Sequence, residues 1–234
     1  MCMPFRYYFD PTYILILPAL IISIIAQIKC RSAFNKYSKI LNSRGLTGAQ
    51  AAERLLSISG VTGVSIVPSG GTLTDHFNPS DNTIHLSEGV YNKTTIAAVG
   101  VACHEAGHAV QHAEGYVPNK IRGVLVPASR FGSMLALPLI IIGFMFTGAT
   151  AKLFIDIGIA LYSIAVLFTV VTLPVEFNAS KRALKIIKQG YFLDEQEYEG
   201  AKKVLSAAAM TYVAAALTSV LQLLRLILLS NRRR

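Results

Sequence analysis

The sequence predicts a mainly α-helical protein that spans a membrane several times and carries a small β-sheet. Hydrophobic residues make up 53% of its 234 residues, and the mean hydropathy is +0.48. Only 15% of the residues are charged, whereas charged residues are about a quarter of an ordinary soluble domain. The apolar residues are also concentrated in four long blocks, which is typical of transmembrane helices.

The first apolar block is Tyr13–Ile28, and we interpret it as an uncleaved transmembrane anchor within segment 1–29. About 20 apolar residues span a bilayer, so this block is slightly short. A cleaved signal peptide is the alternative. The basic stretch "KCRSAFNKYSK" follows the block, however, where a cleavage site would have small residues.

Segment 30–122 is predicted to fold as a small α+β unit. Thr47 suits the N-cap of a short helix that stops at Gly60. A second helix is predicted from Thr95 to Ala113. Short runs with β-branched residues, separated by turns rich in Gly, Pro and Asn, predict three strands at Val64–Val67, Thr72–His76 and Thr83–Ser87.

The second and third apolar blocks predict a transmembrane hairpin over segment 123–175. These blocks are Val124–Phe146 and Leu153–Val175, and only the short turn "TGATAK" joins them. A further helix with polar residues is predicted for 176–203.

The fourth apolar block, Val204–Leu229, lies in segment 204–234, which we interpret as a C-terminal apolar helix. It contains Arg225, so the sequence leaves two alternatives open. The helix either crosses the bilayer or packs on the protein with partial insertion.

Positive charge predicts the orientation in the membrane. Most Lys and Arg residues lie in 29–122 and 176–203, and cytoplasmic loops carry such an excess. These segments are therefore expected on the cytoplasmic face, with both chain ends outside. Arg232–Arg234 argue against an outside C-terminus unless the fourth block does not cross.

The net charge of +9 does not indicate nucleic acid, because the basic residues flank apolar blocks. They are better explained by topology and by contact with anionic lipid. The cysteines are three in number and scattered, which excludes a disulfide framework.

The stretch "VACHEAGHAVQH" at 101–112 contains H-E-x-x-H. On a helix, His104 and His108 lie on one face and can both bind one metal ion, while Glu105 can reach a water on that ion. This pattern predicts a catalytic zinc site with Glu105 as the general base.

The third zinc ligand must come from another part of the chain. His112 lies too far along the helix axis to join His104 and His108 unless the helix breaks. It is expected to be a polar residue at the helix end, with a substrate or metal contact as the alternative. Glu176 follows the predicted hairpin, which returns the chain to the same side, so it can complete a His₂Glu set; an interfacial charge is the alternative.

Several stretches resemble the YugP-type family of membrane neutral zinc metallopeptidases: "HEAGHAVQH", "EFNAS", "TDHFNP" and "IHLSEGVYNKTTIAAVGVACHEAGHA". The order of parts is also similar to the membrane gluzincins of the HtpX type. The resemblance implies a zincin-like α+β catalytic unit with zinc on His104, His108 and Glu176, and Glu105 as the base. Those gluzincins carry an Asp that holds a zinc-bound His, and Ser180 stands at that position here.

The resemblance also implies that a sheet edge binds the substrate backbone just before the active helix, and Thr83–Ser87 stands there. His85 is a candidate for contact with the substrate, with ordinary strand packing as the alternative. Asp75 and His76 are candidates for orienting a ligand or stabilising an oxyanion, with turn formation as the alternative.

The sequence therefore predicts a membrane-anchored zinc endopeptidase that acts on a protein or peptide substrate. The resemblance places it in a bacterial cell membrane, and no oligomeric state is indicated. A site-2-like intramembrane protease and a membrane scaffold with a structural zinc site are the alternatives.

Overall fold

The computed structural model describes residues 12–231, and these residues are mostly helical. Arg232–Arg234, which argue against the predicted orientation of the C-terminus, lie outside this range. The helices are α1 (Tyr13–Tyr37), α2 (Gly48–Ile58), α3 (Ile96–Ala113), α4 (Val117–Met145), α5 (Gly148–Gln189) and α6 (Glu195–Asn231). The strands are β1 (Ser65–Ser69), β2 (His76–Asn78) and β3 (Thr83–Ser87).

Four of the described helices, α1, α4, α5 and α6, are long and apolar enough to cross a membrane. The helix α4 packs along α5 as a hairpin, and α6 packs on both α1 and α5. Gly158 of α5 lies so close to α4 that a Cβ there would be 2.9 Å from the carbonyl oxygen of Ala136. Small residues at such crossings allow helix backbones to approach in lipid.

Hydroxyl pairs and one arginine join these helices. Ser23 and Thr218 lie 3.0 Å apart between α1 and α6. Arg225 of α6 donates from Nε to the Thr12 hydroxyl at 3.1 Å, and its guanidinium lies 3.9 Å from the ring centroid of Tyr13. The cation therefore has partners beside α1, which explains how an apolar helix accommodates it.

The helix α5 is continuous for 42 residues, so the apolar block and Glu176 belong to one helix. At about 1.5 Å per residue it is roughly 63 Å long, about twice the thickness of the hydrocarbon core. Its C-terminal part therefore extends beyond the membrane and packs on the α+β unit.

The α+β unit has its core between α2, α3, the sheet and the polar ends of α5 and α6. Thr47 caps α2 as expected, in a reciprocal capping box with Gln50. The strand order is β1-β3-β2, with β1 parallel and β2 antiparallel to β3.

Two strand predictions were wrong in position. The strand expected at Thr72–His76 is instead β2, which begins at His76. Leu73 has a positive φ of 57°, and the Asp75 carboxylate caps the end of β3, so the chain before His76 does not pair. The strand β1 ends at Ser69, later than expected, and tolerates Pro68 because it lies at a sheet edge.

The prediction of Thr83–Ser87 as the substrate-binding edge was also wrong. This segment is β3, and β3 is the central strand of the sheet. Its residues Ile84 and Leu86 are completely buried in the core. The edge nearest α3 is β2, because the backbone of Phe77 contacts Glu105.

Candidate metal and active site

The helix α3 is placed against α5 by small residues. Thr95 caps its N-terminus by accepting a hydrogen bond from the Ala98 backbone N–H at 3.3 Å. At Gly107, an added Cβ would lie 2.7 Å from the backbone oxygen of Ala179. The two backbones are therefore nearly in contact where the candidate ligands face each other.

The structure brings His104, His108 and Glu176 together, with one ligand atom from each lying within 4.8 Å of the others. Glu176 Oε2 lies 3.2 Å from His104 Nε2 and 3.5 Å from His108 Nε2. The Glu176 side chain is 2% exposed, which is unusual for a carboxylate that serves only as a charge at the membrane surface. Two imidazole nitrogens and a carboxylate oxygen are a donor set that zinc prefers.

Gln111 holds His108 from behind. Its side-chain Nε2 donates to the backbone oxygen of Val175 at 2.8 Å and to Asn178 Oδ1 at 3.0 Å. Its Oε1 therefore remains to accept from His108 Nδ1 at 3.0 Å. This arrangement fixes the tautomer of His108 and leaves the Nε2 lone pair facing Glu176.

Ser180 contacts the other histidine of the cluster, His104. Its hydroxyl lies 3.1 Å from His104 Nδ1, and Ser180 is one helical turn after Glu176 on α5. A hydroxyl in this position can fix the ring but adds less negative charge than a carboxylate would.

Glu105 is buried beside the three candidate ligands. Its Oε2 accepts a hydrogen bond from the Phe77 backbone N–H at 3.0 Å, which fixes the carboxylate toward β2. Burial raises the pKa of Glu105 above its usual range, and the nearby carboxylates of Glu176 and Asp75 raise it further, while His104 and the Phe77 N–H oppose the shift. A carboxylate with a raised pKa is a better proton acceptor.

Two further residues lie beside Glu176, and sequence reasoning missed both. Arg122 of α4 places Nη1 3.2 Å from Glu176 Oε1. Tyr212 of α6 lines both cavities beside the same carboxylate. Neither residue lies near a recognisable motif, so only the packing of four helices could reveal them.

Of the other histidine candidates, His112 and His76 line the cavity beside the cluster. The exposed His112 does not join the three-residue group, as its position on the helix predicted, and its ring lies 5.7 Å from that of Phe77. His85 stacks on His76 from the neighbouring strand, with ring centroids 4.6 Å apart. His85 therefore supports the position of His76.

Asp75 joins the end of β3 to the loop before β2. Its carboxylate accepts from the Ser87 backbone N–H at 2.7 Å and from the Ser87 hydroxyl at 3.0 Å. It also lines the cavities on both sides of Glu105. Both bonds fix the loop before β2 to the end of β3.

The candidate ligands lie between two connected cavities. One, of about 570 Å³, extends past His76, Phe77 and Pro79 toward the start of α4. The other, of about 150 Å³, extends past Leu73 toward α6. Asp75, His104, Glu105, Glu176 and Tyr212 line both cavities. The chain from Leu73 to Pro79 thus forms one wall of a cleft that passes the cluster.

Comparison with known proteins gives two matches. The chain matches, over residues 12–231, the model of a family described as "Putative neutral zinc metallopeptidase". It is also 47% identical over 215 residues to the "Putative membrane protease YugP" of Bacillus subtilis (strain 168), which covers 92% of this chain and 94% of that relative. No solved structure matches the chain significantly. With a family match that covers nearly the whole chain, this membrane protein belongs to the neutral zinc metallopeptidase family.

Proposed function

We propose that this protein is a membrane-embedded zinc endopeptidase in which His104, His108 and Glu176 bind zinc and Glu105 is the general base. The observation that carries the proposal is the convergence of these three buried ligands beside Glu105 in a cleft. Segments 30–122 and 176–203 of the chain would form the catalytic unit. The remaining segments would anchor it.

The donor set fits zinc, since catalytic zinc sites use three protein ligands and leave one position open. A zinc ion bound there supplies a Lewis acid that polarises the scissile carbonyl and makes water a stronger nucleophile. Among the described residues, this cluster has three protein donors and adjoins a cavity.

Glu105 would accept a proton from the attacking water and pass it to the leaving amine. The Phe77 N–H holds one carboxylate oxygen toward β2, so the other oxygen faces the cleft. Tyr212 and His76, which line the cleft, would donate hydrogen bonds to the substrate or to the developing oxyanion. His112, also in the cleft wall, would contact the substrate farther from the scissile bond.

The substrate would be an extended peptide that pairs with β2. This strand is at the edge of the sheet and lines the cleft next to Glu105. Addition of a strand to such an edge uses backbone hydrogen bonds, so it recognises many sequences.

Two alternative functions are less well supported. A structural zinc site is usually closed by four protein ligands, often cysteines, whereas Cys103 is completely buried in the core and its thiol contacts the Ala51 backbone oxygen. A site-2-like intramembrane protease would carry H-E-x-x-H on a membrane-spanning helix. The helix α3 is not among the four apolar helices that could span.

We also propose that the protein resides in a bacterial cell membrane with its site on the cytoplasmic face. The relative is a bacterial membrane protease by its name, and the basic residues are concentrated on the side that bears the site.

The test is cleavage of unfolded casein by detergent-purified wild type and Glu105→Gln, with zinc content measured on both. We expect wild type to cut and Glu105→Gln to lose at least about 100-fold in rate, within the range that general base catalysis provides. Both should hold one zinc per chain. Equal cleavage by both proteins would exclude Glu105 as the base. A closed four-ligand shell in X-ray absorption would exclude the catalytic site altogether.

A further inference from the structure

A groove between α5 and α6 continues the cleft beyond the candidate ligands. It has a volume of about 490 Å³ and shares Ser180, Leu205 and Ala209 with the smaller of the two cavities at the site. The cleft therefore passes from the start of α4, along β2 and the cluster, into this α5–α6 groove.

The walls of the α5–α6 groove are apolar and basic. Phe177, Leu184 and Met210 supply apolar surface, and Phe177 and Met210 are about half exposed. Lys181 and Lys185 also line it, one helical turn apart on α5, and both are exposed. Within residues 12–231, no acidic side chain lines this groove.

Two other lysines of the same region are paired with acidic side chains. Lys188 pairs with Glu195, and Lys202 pairs with Glu199. Among the described residues, Lys181 and Lys185 have no acidic side chain within salt-bridge distance. Their charges are available to a ligand in the groove.

From this continuity and charge, we propose that the α5–α6 groove binds the C-terminal half of the substrate. The groove selects for segments in which acidic residues lie next to apolar ones. The inference rests on the proposed peptidase function and specifies its substrate class. The direction of the bound peptide follows from the direction of β2. This strand runs from the α6 side toward α4, and a peptide paired antiparallel to it runs the opposite way. Antiparallel pairing is the more stable geometry per residue.

The proposal is tested by cleaving a mixture of proteome-derived peptides with the full-length protein in neutral detergent. Mass spectrometry then identifies the residues that follow each cut. We expect Asp and Glu to be enriched over Lys and Arg on the C-terminal side, roughly two- to fivefold per lysine, as an exposed ion pair provides. The enrichment should decline as salt is raised, because the lysines are exposed.

The decisive variant is Lys181→Glu with Lys185→Glu, for which the preference should reverse toward Lys and Arg. The matched control is Lys93→Glu with Lys203→Glu, two exposed lysines outside the groove, and it should retain the wild-type preference. An unchanged preference in the first variant would overturn the proposal.

Cleavage of peptides by wild type without any charge preference would also overturn it, while the peptidase function would stand. The absence of cleavage of any peptide would contradict the peptidase function itself. The variant with both lysines changed to glutamate could instead differ from wild type in its retention on vesicles of anionic phospholipid, with the cleavage sites unaltered. The groove would then hold lipid, and the substrate proposal would be wrong.

Discussion

At the scale of single residues, the candidate metal site depends on a buried amide as much as on its ligands. Gln111 is completely buried, and its side chain joins His108 to the backbone of Val175, the residue before Glu176. The Gln111 side chain thus sets both the orientation of His108 and the distance between His108 and Glu176. Ligand-orienting groups of this kind commonly change metal affinity when they are removed.

We expect Gln111→Met to weaken zinc binding about 10- to 100-fold, the usual range for the loss of a ligand's hydrogen-bond partner. The substitution keeps the volume but removes the acceptor for His108 and both donors to α5. Competition with a chromogenic chelator measures the affinity, and the absorption spectrum of the cobalt-substituted protein reports the ligand geometry. The control is Gln189→Met, an exposed glutamine at the end of α5. Unchanged affinity and spectrum would show that Gln111 is only a packing residue.

The sequence could indicate those site residues that belong to a local pattern. His104, Glu105 and His108 follow helical spacing, and Glu176 follows a span that returns to the same side. Arg122 and Tyr212 come from α4 and α6 and are brought beside Glu176 only by tertiary packing. Gln111 was within the quoted motif, but its role depends on the position of Val175 on another helix.

At the scale of secondary-structure elements, the site depends on the close crossing of α3 and α5. Gly107 lies between the two histidines, and the Ala179 backbone lies against it. Glu176 and Ser180 flank Ala179 on α5, so the crossing sets their distances from His104 and His108.

We expect Gly107→Ala to separate the helices and to destabilise the protein by about 1–3 kcal/mol, as overpacking does. It should also lower zinc content at a fixed chelator concentration. Thermal unfolding in detergent and metal analysis provide the two measurements. Gly123→Ala in α4 is the matched control, because an added Cβ there meets nothing within 4 Å and alanine favours a helix. If both variants unfolded at the wild-type temperature, the crossing would not be as close as the structure indicates.

The elements could be predicted where local signals agree with packing. The helix α3 begins after the predicted cap, Thr95, and β3 has the predicted bounds. The predicted strand Thr72–His76 failed because Asp75 bonds to Ser87 and diverts the chain from the sheet. The central position of β3 could not be read from the sequence, because alternation shows which side chains are buried but not which strand lies at the edge.

At the scale of the whole molecule, the protein joins a membrane bundle to an α+β unit through two long helices. The helices α5 and α6 run from the apolar bundle into the core of the α+β unit, where Ile187 and Ala201 are completely buried. The sequence indicated the number of apolar helices well, because hydropathy depends on composition. How they pack depends on close contacts such as that of Gly158 with Ala136, which no local pattern specifies.

The proposed orientation predicts which loops face the outside of the cell. In a background with Cys2 and Cys30 changed to Ser, Thr147→Cys should react with a membrane-impermeant maleimide on intact cells. Lys93→Cys should react only after permeabilisation. Both positions are exposed, and the remaining Cys103 is completely buried. Labelling of Lys93→Cys on intact cells would place the site outside and contradict the cytoplasmic assignment.

The position of Glu176 on α5 has a consequence for how the protein becomes active during synthesis. Glu176 leaves the ribosome 72 residues after His104, and both arms of the hairpin lie between them. On the proposed ligand set, a nascent chain has the H-E-x-x-H helix but not its third donor until the hairpin has inserted and folded back. Insertion would then be the activating event, and a chain that fails to reach the bilayer would remain without hydrolytic activity.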